Sequence, residues 1–314
     1  MSTEFEKYGF PDGKRYNSFV GYFRRKYGER LHKIVLDAGF TCPNRDGNKG
    51  MGGCTYCNNQ TFNPDYCKPT LTVTQQLEDG IRFFSHKYPS MRYLAYFQAY
   101  TNTYASLETL RAKYEEALSV EGCVGIVIGT RPDCLGDDVL DLLAELNEIK
   151  PVWVELGLQT IHEDTARYIR RGYPAQVYFD AVKKLKKAGI EVVTHIILGL
   201  PGETTDMMIA TTQAAVAAGT DGVKFHLLHV IEHTDLAKLY RAGEFEVLSM
   251  ERYFELLAGC IERIPPEMVV HRLTGDGDKR TLLAPLWSGN KKHVLNSMNR
   301  YFDEIGLVQG NMLK

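Results

Sequence analysis

The sequence has no apolar run of about 18 residues, which excludes a membrane-spanning helix. Its first residues, Met-Ser-Thr-Glu-Phe-Glu-Lys-Tyr, carry charge and no hydrophobic stretch of the secretory type. Net charge is small. Thirty-seven Lys and Arg against 39 Asp and Glu leave −2 at pH 7, so a globally basic coat for nucleic acid is excluded while a local patch is not. Low-complexity tracts, internal repeats and long linkers are also lacking. Cysteine is present, but its seven copies are an odd number in a chain without an export signal, which argues against a disulfide framework. These features predict a reduced, cytoplasmic protein with no membrane partner.

The 314 residues are 44% hydrophobic and 24% charged, as in globular domains. Strand-like segments rich in Val, Ile, Leu and aromatics recur at 33–38, 92–98, 124–130, 152–158, 191–198 and 222–228. Segments of helical period fall between them, near 74–88, 106–118, 136–147, 176–188 and 205–218. Alternation of this kind predicts right-handed βαβ units and a parallel sheet. Periodicity alone leaves an open sheet and an incomplete barrel as alternatives. Past residue 230 the rhythm changes to a helix at 249–264, a short strand at 269–273, a Gly/Asp-rich turn and a helix near 290–305. The expected organisation is an extension over 1–32, a core over 33–230 and an α+β appendage over 231–314.

Three cysteines demand an explanation. Cys42, Cys54 and Cys57 follow the first strand with spacing C-x11-C-x2-C, in a loop containing four glycines. Thiolates are soft ligands suited to zinc or an iron–sulfur cluster. Structural zinc prefers four ligands, and no fourth stands at the usual close spacing. Spacing by itself leaves a cluster, zinc and unliganded cysteines open. In barrel-like α/β folds, sites lie at the C-terminal ends of the strands, where this loop begins. The polar strand exits 98–104, Arg131, Asp133, Gln159, His226 and His229 are expected to face it. Cys67, Cys123, Cys134 and Cys260 do not cluster and are expected to be buried as small hydrophobes.

The loop, its exit from strand one and Tyr56 together resemble the radical S-adenosylmethionine superfamily. Ile128-Gly-Thr-Arg-Pro-Asp133, Val154-Glu-Leu-Gly-Leu-Gln159, Arg171-Gly-Tyr173 and His195-Ile-Ile-Leu-Gly-Leu-Pro-Gly-Glu203 are similar to the Elongator-catalytic-subunit-like branch. Leu36-Asp-Ala-Gly-Phe-Thr-Cys-Pro-Asn-Arg-Asp-Gly47 resembles the YhcC/YtqA-type bacterial family within it. The likeness covers nearly the whole chain. It implies an incomplete (β/α)6 TIM-like barrel whose Cys42, Cys54 and Cys57 hold a [4Fe–4S] cluster. The open iron would chelate S-adenosylmethionine, and an electron from a flavodoxin- or ferredoxin-type donor would release a 5′-deoxyadenosyl radical that abstracts a substrate hydrogen.

The same likeness implies cofactor roles for particular residues. Tyr56, Ile197, Gly199 and His229 would lie near the adenine. Gln98, Thr101 and Asn102 stand where relatives carry a Gly-Gly-Glu stretch for the amino group, although this chain has no Glu there. Gln159 and Arg171, twelve apart, would contact the ribose and the methionyl carboxylate. Gly129 and His195 occupy positions where relatives carry acidic residues. Glu155 would either replace such a residue or be a satisfied barrel carboxylate.

Elongator-type relatives act on tRNA with a separate acetyl-CoA domain, which this length leaves no room for. Residues 1–42 and 271–314 each carry +3, and Arg24, Arg25, Lys291 and Lys292 sit among aromatics, as in RNA-contacting surfaces. The leading expectation is a radical enzyme acting on RNA, with tRNA foremost. A small metabolite as substrate and a zinc-stabilised binding module are the alternatives.

Overall fold

The computed structural model describes residues 10, 12–58, 64, 66–86, 88, 91–275, 277 and 279–313. Helix α1 (Phe19–Tyr27) precedes strand β1 (Leu31–Leu36). The repeating units follow as α2 (Val73–Ser85), β2 (Arg92–Phe97), α3 (Leu107–Ser119), β3 (Cys123–Thr130), α4 (Asp137–Ile149) and β4 (Val152–Gln159). They continue through α5 (Glu163–Tyr168), α6 (Ala175–Lys187), β5 (Glu191–Leu198), α7 (Thr205–Ala217) and β6 (Gly222–Leu227). The last part holds β7 (Val230–Ile231), α8 (Asp235–Arg241), α9 (Met250–Ile261), β8 (Val269–Arg272), β9 (Leu282–Ala284) and α10 (Lys291–Glu304).

Seven strands form one all-parallel sheet in the order β1-β2-β3-β4-β5-β6-β8, curled into a half-barrel. The strands are buried on both faces, as helix-covered parallel strands must be. The sequence reading counted six. The seventh, β8, had been assigned to the appendage, but it pairs with β6 through Gly222–Val269 and Val223–Val270 and covers what would be an open edge. The sheet thus continues past residue 230. Helix α2 starts at a capping box, in which Thr72 accepts from the Gln75 N–H and Gln75 accepts from the Thr72 N–H.

Outward side chains of the sheet pack with the helices into the main core, which runs from Ile34 and Leu36 through Ile126, Val154, Ile196 and Phe225 to Tyr253 and Phe302. Inward side chains stack in levels. At the N-terminal end of the strands, Leu31, Leu94, Val127 and Trp153 meet Phe23 of α1 in a separate apolar cluster. Phe23 is 1% exposed, and its ring lies edge-on to Trp153 at 5.5 Å. Helix α1, capped by Ser18 and ended by Gly28 at φ 74°, therefore closes the floor of the half-barrel. Burying an aromatic of this size contributes roughly 1.5–3 kcal/mol.

Candidate active site

The cysteine loop leaves the C-terminal end of β1, opposite that floor. Its backbone is folded on itself: Cys42 O accepts from the Arg45 and Asp46 N–H groups at 2.8 and 3.2 Å, and Asn44 O accepts from Gly53 at 2.8 Å. Gly53 has φ +87°, and a Cβ there would meet Arg45 Nε at 2.9 Å, so only glycine permits this wrap. Two anchors tie the loop to its surroundings. The Thr55 N–H donates to Ile169 O at 3.1 Å, and Asn44 Nδ2 donates to Arg170 O at 2.7 Å. Lys49 of the loop reaches Asp133 at 2.6 Å, and Asp133 also holds Arg131 through two 2.9 Å bonds.

Cys42, Cys54 and Cys57 line one cavity of about 240 Å³ together with Tyr56, Gln98, Thr101, Arg131, Gln159, Arg171, His195, Lys224, His226 and Arg272. Burial, followed by the charge of Cys57, pushes the Cys54 thiol up to about 11; burial also raises that of Cys57. Among the described residues, no three Cys, His, Asp or Glu side chains converge closely enough to surround one ion.

Below the thiols lies a level the motifs did not announce. Glu155, whose side chain is fully buried, accepts from Lys33 Nζ at 2.5 Å, Lys224 Nζ at 2.8 Å and Tyr96 OH at 2.7 Å, with His195 Nε2 at 2.6 Å. Lys33 also meets His271 Nδ1 at 3.1 Å. The sequence reading left Glu155 between two roles, and the structure makes it the satisfied barrel carboxylate. Burial raises its pKa, but the Lys224 and Lys33 charges outweigh that and hold it well below the usual range. Burial, followed by the Lys224 charge, takes His195 down to about 4, so its ring is neutral at pH 7. Lys33, Tyr96, Lys224, His271 and Arg272 escaped the motif search. One signal was available: Lys33 and Lys224 interrupt strands that are apolar on both sides, where a charge requires a buried partner.

The remaining expected residues divide clearly. Tyr56 packs with Ile197, Leu228 and Val230, and Tyr56, Ile197, Gln98, Gln159 and His229 line a second lobe of about 190 Å³ at the mouth. Gln159 has φ 59° and accepts from Tyr173 OH at 3.2 Å. Asn102 is not at the cavity. It joins the ends of β2 and β3 by donating to Phe97 O and Gly129 O at 3.0 and 2.8 Å. Gly199 faces Leu248, and its N–H is taken by the Met208 sulfur. Arg171 is 1% exposed and mostly committed to backbone: Nε donates to Tyr173 O at 2.9 Å, while Nη1 serves Leu158 O and Thr160 O. Its Nη2 makes no hydrogen bond and lies 3.6 Å from Glu163 Oε1. Arg24 and Arg25 belong to α1 at the closed floor, away from the cysteines, and Arg25 donates to Asn17 Oδ1 at 2.6 Å. Lys291 and Lys292 open α10, a few residues after β9, the strand that pairs with β7 beyond the end of β6. The two basic segments are not brought together.

Residues 42–215 match the radical SAM superfamily, and residues 220–304 match the radical SAM C-terminal domain. The chain belongs to the radical SAM superfamily. It is 44% identical to YtqA of Bacillus subtilis over 301 residues, covering 96% of this chain and 94% of that protein. Identity to YhcC of Escherichia coli K12 is 40% over 301 residues, covering 96% of each. A solved archaeal Elp3 from Methanocaldococcus infernus superposes with a TM-score of 0.68 at 18% identity, covering 89% of this chain and 64% of that one. It shares the half-barrel fold the sequence pointed to.

Radical SAM enzymes use a [4Fe–4S] cluster and S-adenosylmethionine. The residues present fit both. Three thiols share a cavity, and thiols give up their protons on binding metal. The adjoining lobe offers apolar walls at Tyr56 and Ile197 and polar groups at Gln98 and Gln159. Cys67 is buried, and burial followed by the Asp37 charge pushes its thiol up to about 12. Among the described residues, no helix is long and apolar enough to cross a membrane.

Proposed function

We propose that this radical SAM enzyme takes a hydrogen atom from a nucleoside of RNA, with tRNA as the substrate class. Bound cluster and S-adenosylmethionine supply the 5′-deoxyadenosyl radical that removes the hydrogen. The protein's part is to hold, orient and exclude water. Cys42, Cys54 and Cys57 hold the cluster. Tyr56, Ile197 and His229 wall the adenosine, Gln98, Thr101 and Gln159 offer its polar contacts, and Arg171 offers the methionyl carboxylate its remaining Nη2. Gly199, Glu155 and His195 act by shaping the walls, and Asn102 by joining the ends of β2 and β3 behind them.

The observation that carries this reading is the single cavity shared by three thiols and a deep polar chamber. RNA is supported by the likeness to Elp3 and by the exposed basic pair Lys291 and Lys292 at the start of α10. The electron comes from a flavodoxin- or ferredoxin-type donor in the cytoplasm. A small metabolite is the second reading, favoured by the buried charges at the chamber's depth.

The test is anaerobic. The reconstituted protein is assayed for iron and sulfide, reduced with dithionite and given S-adenosylmethionine with or without bulk tRNA. Cluster and 5′-deoxyadenosine, both lost in Cys54→Ala and increased by tRNA, support the proposal. Salt-sensitive tRNA binding should fall in the Lys291→Glu/Lys292→Glu double variant and persist in Arg24→Glu. Cleavage that is indifferent to tRNA favours the metabolite, and one tightly held zinc without sulfide overturns the enzyme reading.

A further inference from the structure

Two lysines approach one buried carboxylate, and they are not equivalent. Lys33 Nζ meets Glu155 Oε1 at 2.5 Å and supplies the counter-charge that a buried, ionised carboxylate requires. It also turns towards β8, where it meets His271 Nδ1 at 3.1 Å and lies over the Phe19 ring at 4.9 Å. Lys224 borders the cavity that holds the cysteines, on β6, with His226 two residues nearer the mouth. Its Nζ has three hydrogens to donate. Glu155 Oε2 at 2.8 Å and Tyr96 OH at 2.7 Å take two, and among the described residues no acceptor takes the third.

The surroundings disfavour the charged form of this amine. Burial lowers the Lys224 pKa to about 7 despite Glu155, with Lys33 and Arg272 pushing the same way. The rings nearby add no charge. Burial foremost holds His195 down to about 4 and His226 and His271 well below their ordinary value, so all three are neutral at pH 7. Tyr96, whose pKa burial raises well above its ordinary value, stays a protonated phenol. A desolvated amine beside other cations, in contact with a proton-carrying hydroxyl, is the setting in which lysine acts as a nucleophile.

We propose that Lys224 binds a small aldehyde or ketone covalently, its Nζ condensing with the carbonyl group to form an imine in the chamber. This adds a carbonyl compound to the chemistry described above and does not depend on which molecule gives up the abstracted hydrogen. The lone pair of the neutral amine forms the C–N bond while the carbonyl π pair moves to oxygen. The two nitrogen protons follow to that oxygen, carried by Tyr96 OH at its 2.7 Å contact, and water leaves. One amine and one carbonyl compound give one imine and one water, with no oxidant or reductant. Glu155, 2.8 Å away, then faces the imine nitrogen and favours its protonated form.

Reductive alkylation tests the amine without turnover. Reconstituted protein, with and without S-adenosylmethionine, is treated anaerobically at pH 7 with acetaldehyde and sodium cyanoborohydride, and ethylated lysines are mapped by peptide mass spectrometry. Lys224 should react at least about tenfold faster than the exposed Lys184 and Lys238, because about half of an amine with pKa 7 is neutral there, against less than about 0.1% of an ordinary lysine. Its rate should level off above about pH 8, while the exposed lysines gain about tenfold per pH unit up to about pH 10. Ethylation of Lys224 no faster than that of Lys184 and Lys238 overturns the proposal, since a plain ion-pair partner behaves that way. So does a Lys224 rate that climbs with pH as steeply as theirs. Complete protection by S-adenosylmethionine also overturns it, because the space would then be the cofactor's own. The labelling needs neither RNA nor cleavage of S-adenosylmethionine, so this proposal and the radical reading fail separately.

Discussion

Asn44 Nδ2 stands 3.5 Å from Cys54 Sγ while donating to the Arg170 carbonyl at 2.7 Å. One amide therefore couples the Cys54 sulfur to the segment that carries Arg171. Asn44→Ala should strand that carbonyl, costing about 1–3 kcal/mol, and leave Cys54 without its polar neighbour. The expected outcome is a lower iron-to-protein ratio after reconstitution than in the native chain, and a faster loss of iron to a chelator. Equal iron content and retention would show that the amide does not stabilise the loop.

Arg171 supplies a second test. Three backbone carbonyls depend on its guanidinium, and a lysine ammonium cannot span them in the same plane. Arg171→Lys should lower thermal stability before any cofactor is added, by about 2–4 °C for each kcal/mol lost. An unchanged melting temperature combined with weaker S-adenosylmethionine binding would reverse that assignment, leaving a pure cofactor contact.

Stability should also vary with pH through Lys224. Its folded pKa, about 7, lies below the ordinary lysine value, so between the two the unfolded chain binds more protons. Stability contributed by this group therefore rises as pH goes from 7 towards 10, by up to a few kcal/mol in order of magnitude. Lys224→Met should flatten the rise in melting temperature between pH 7 and 9. Parallel curves for the two proteins would refute the assignment.

Phe23→Ala tests the floor. Removing a ring that is 1% exposed from against Trp153 should cost about 3–5 kcal/mol and be read as an earlier unfolding midpoint in urea. A loss below 1 kcal/mol would mean that α1 adds little to the barrel.

Much of this architecture was legible in the residues. The strand at 191–198 falls where alternation put it, and the helices over 205–218 and 249–264 agree within a few residues. Local signals were weakest where distant partners decide the outcome. Strand β8 is four residues long and becomes part of the sheet because β6 needs a neighbour. Helix α1 is amphipathic on its own, yet nothing local says that Phe23 plugs a barrel. At the site, the cysteines announced themselves by spacing. The Glu155 level did not, because Lys33, Tyr96, Lys224 and His271 lie on four strands and meet only after the sheet curls. Asn102 and Arg171 show the opposite case: their types suit a ligand, while in the fold nearby carbonyls take most of their donors.

The floor of the half-barrel is closed by contacts between the two most distant parts of the fold. Val270 of β8 donates to Asn17 O at 2.8 Å just ahead of α1, and Gln309 accepts from the Asn17 N–H at 2.7 Å, 292 residues away. Closing loops of this length is slow, so such contacts form late in folding. Until they do, Trp153, Leu94 and Leu31 lack their cover, β6 presents an unpaired edge, and the partly folded chain is open to aggregation.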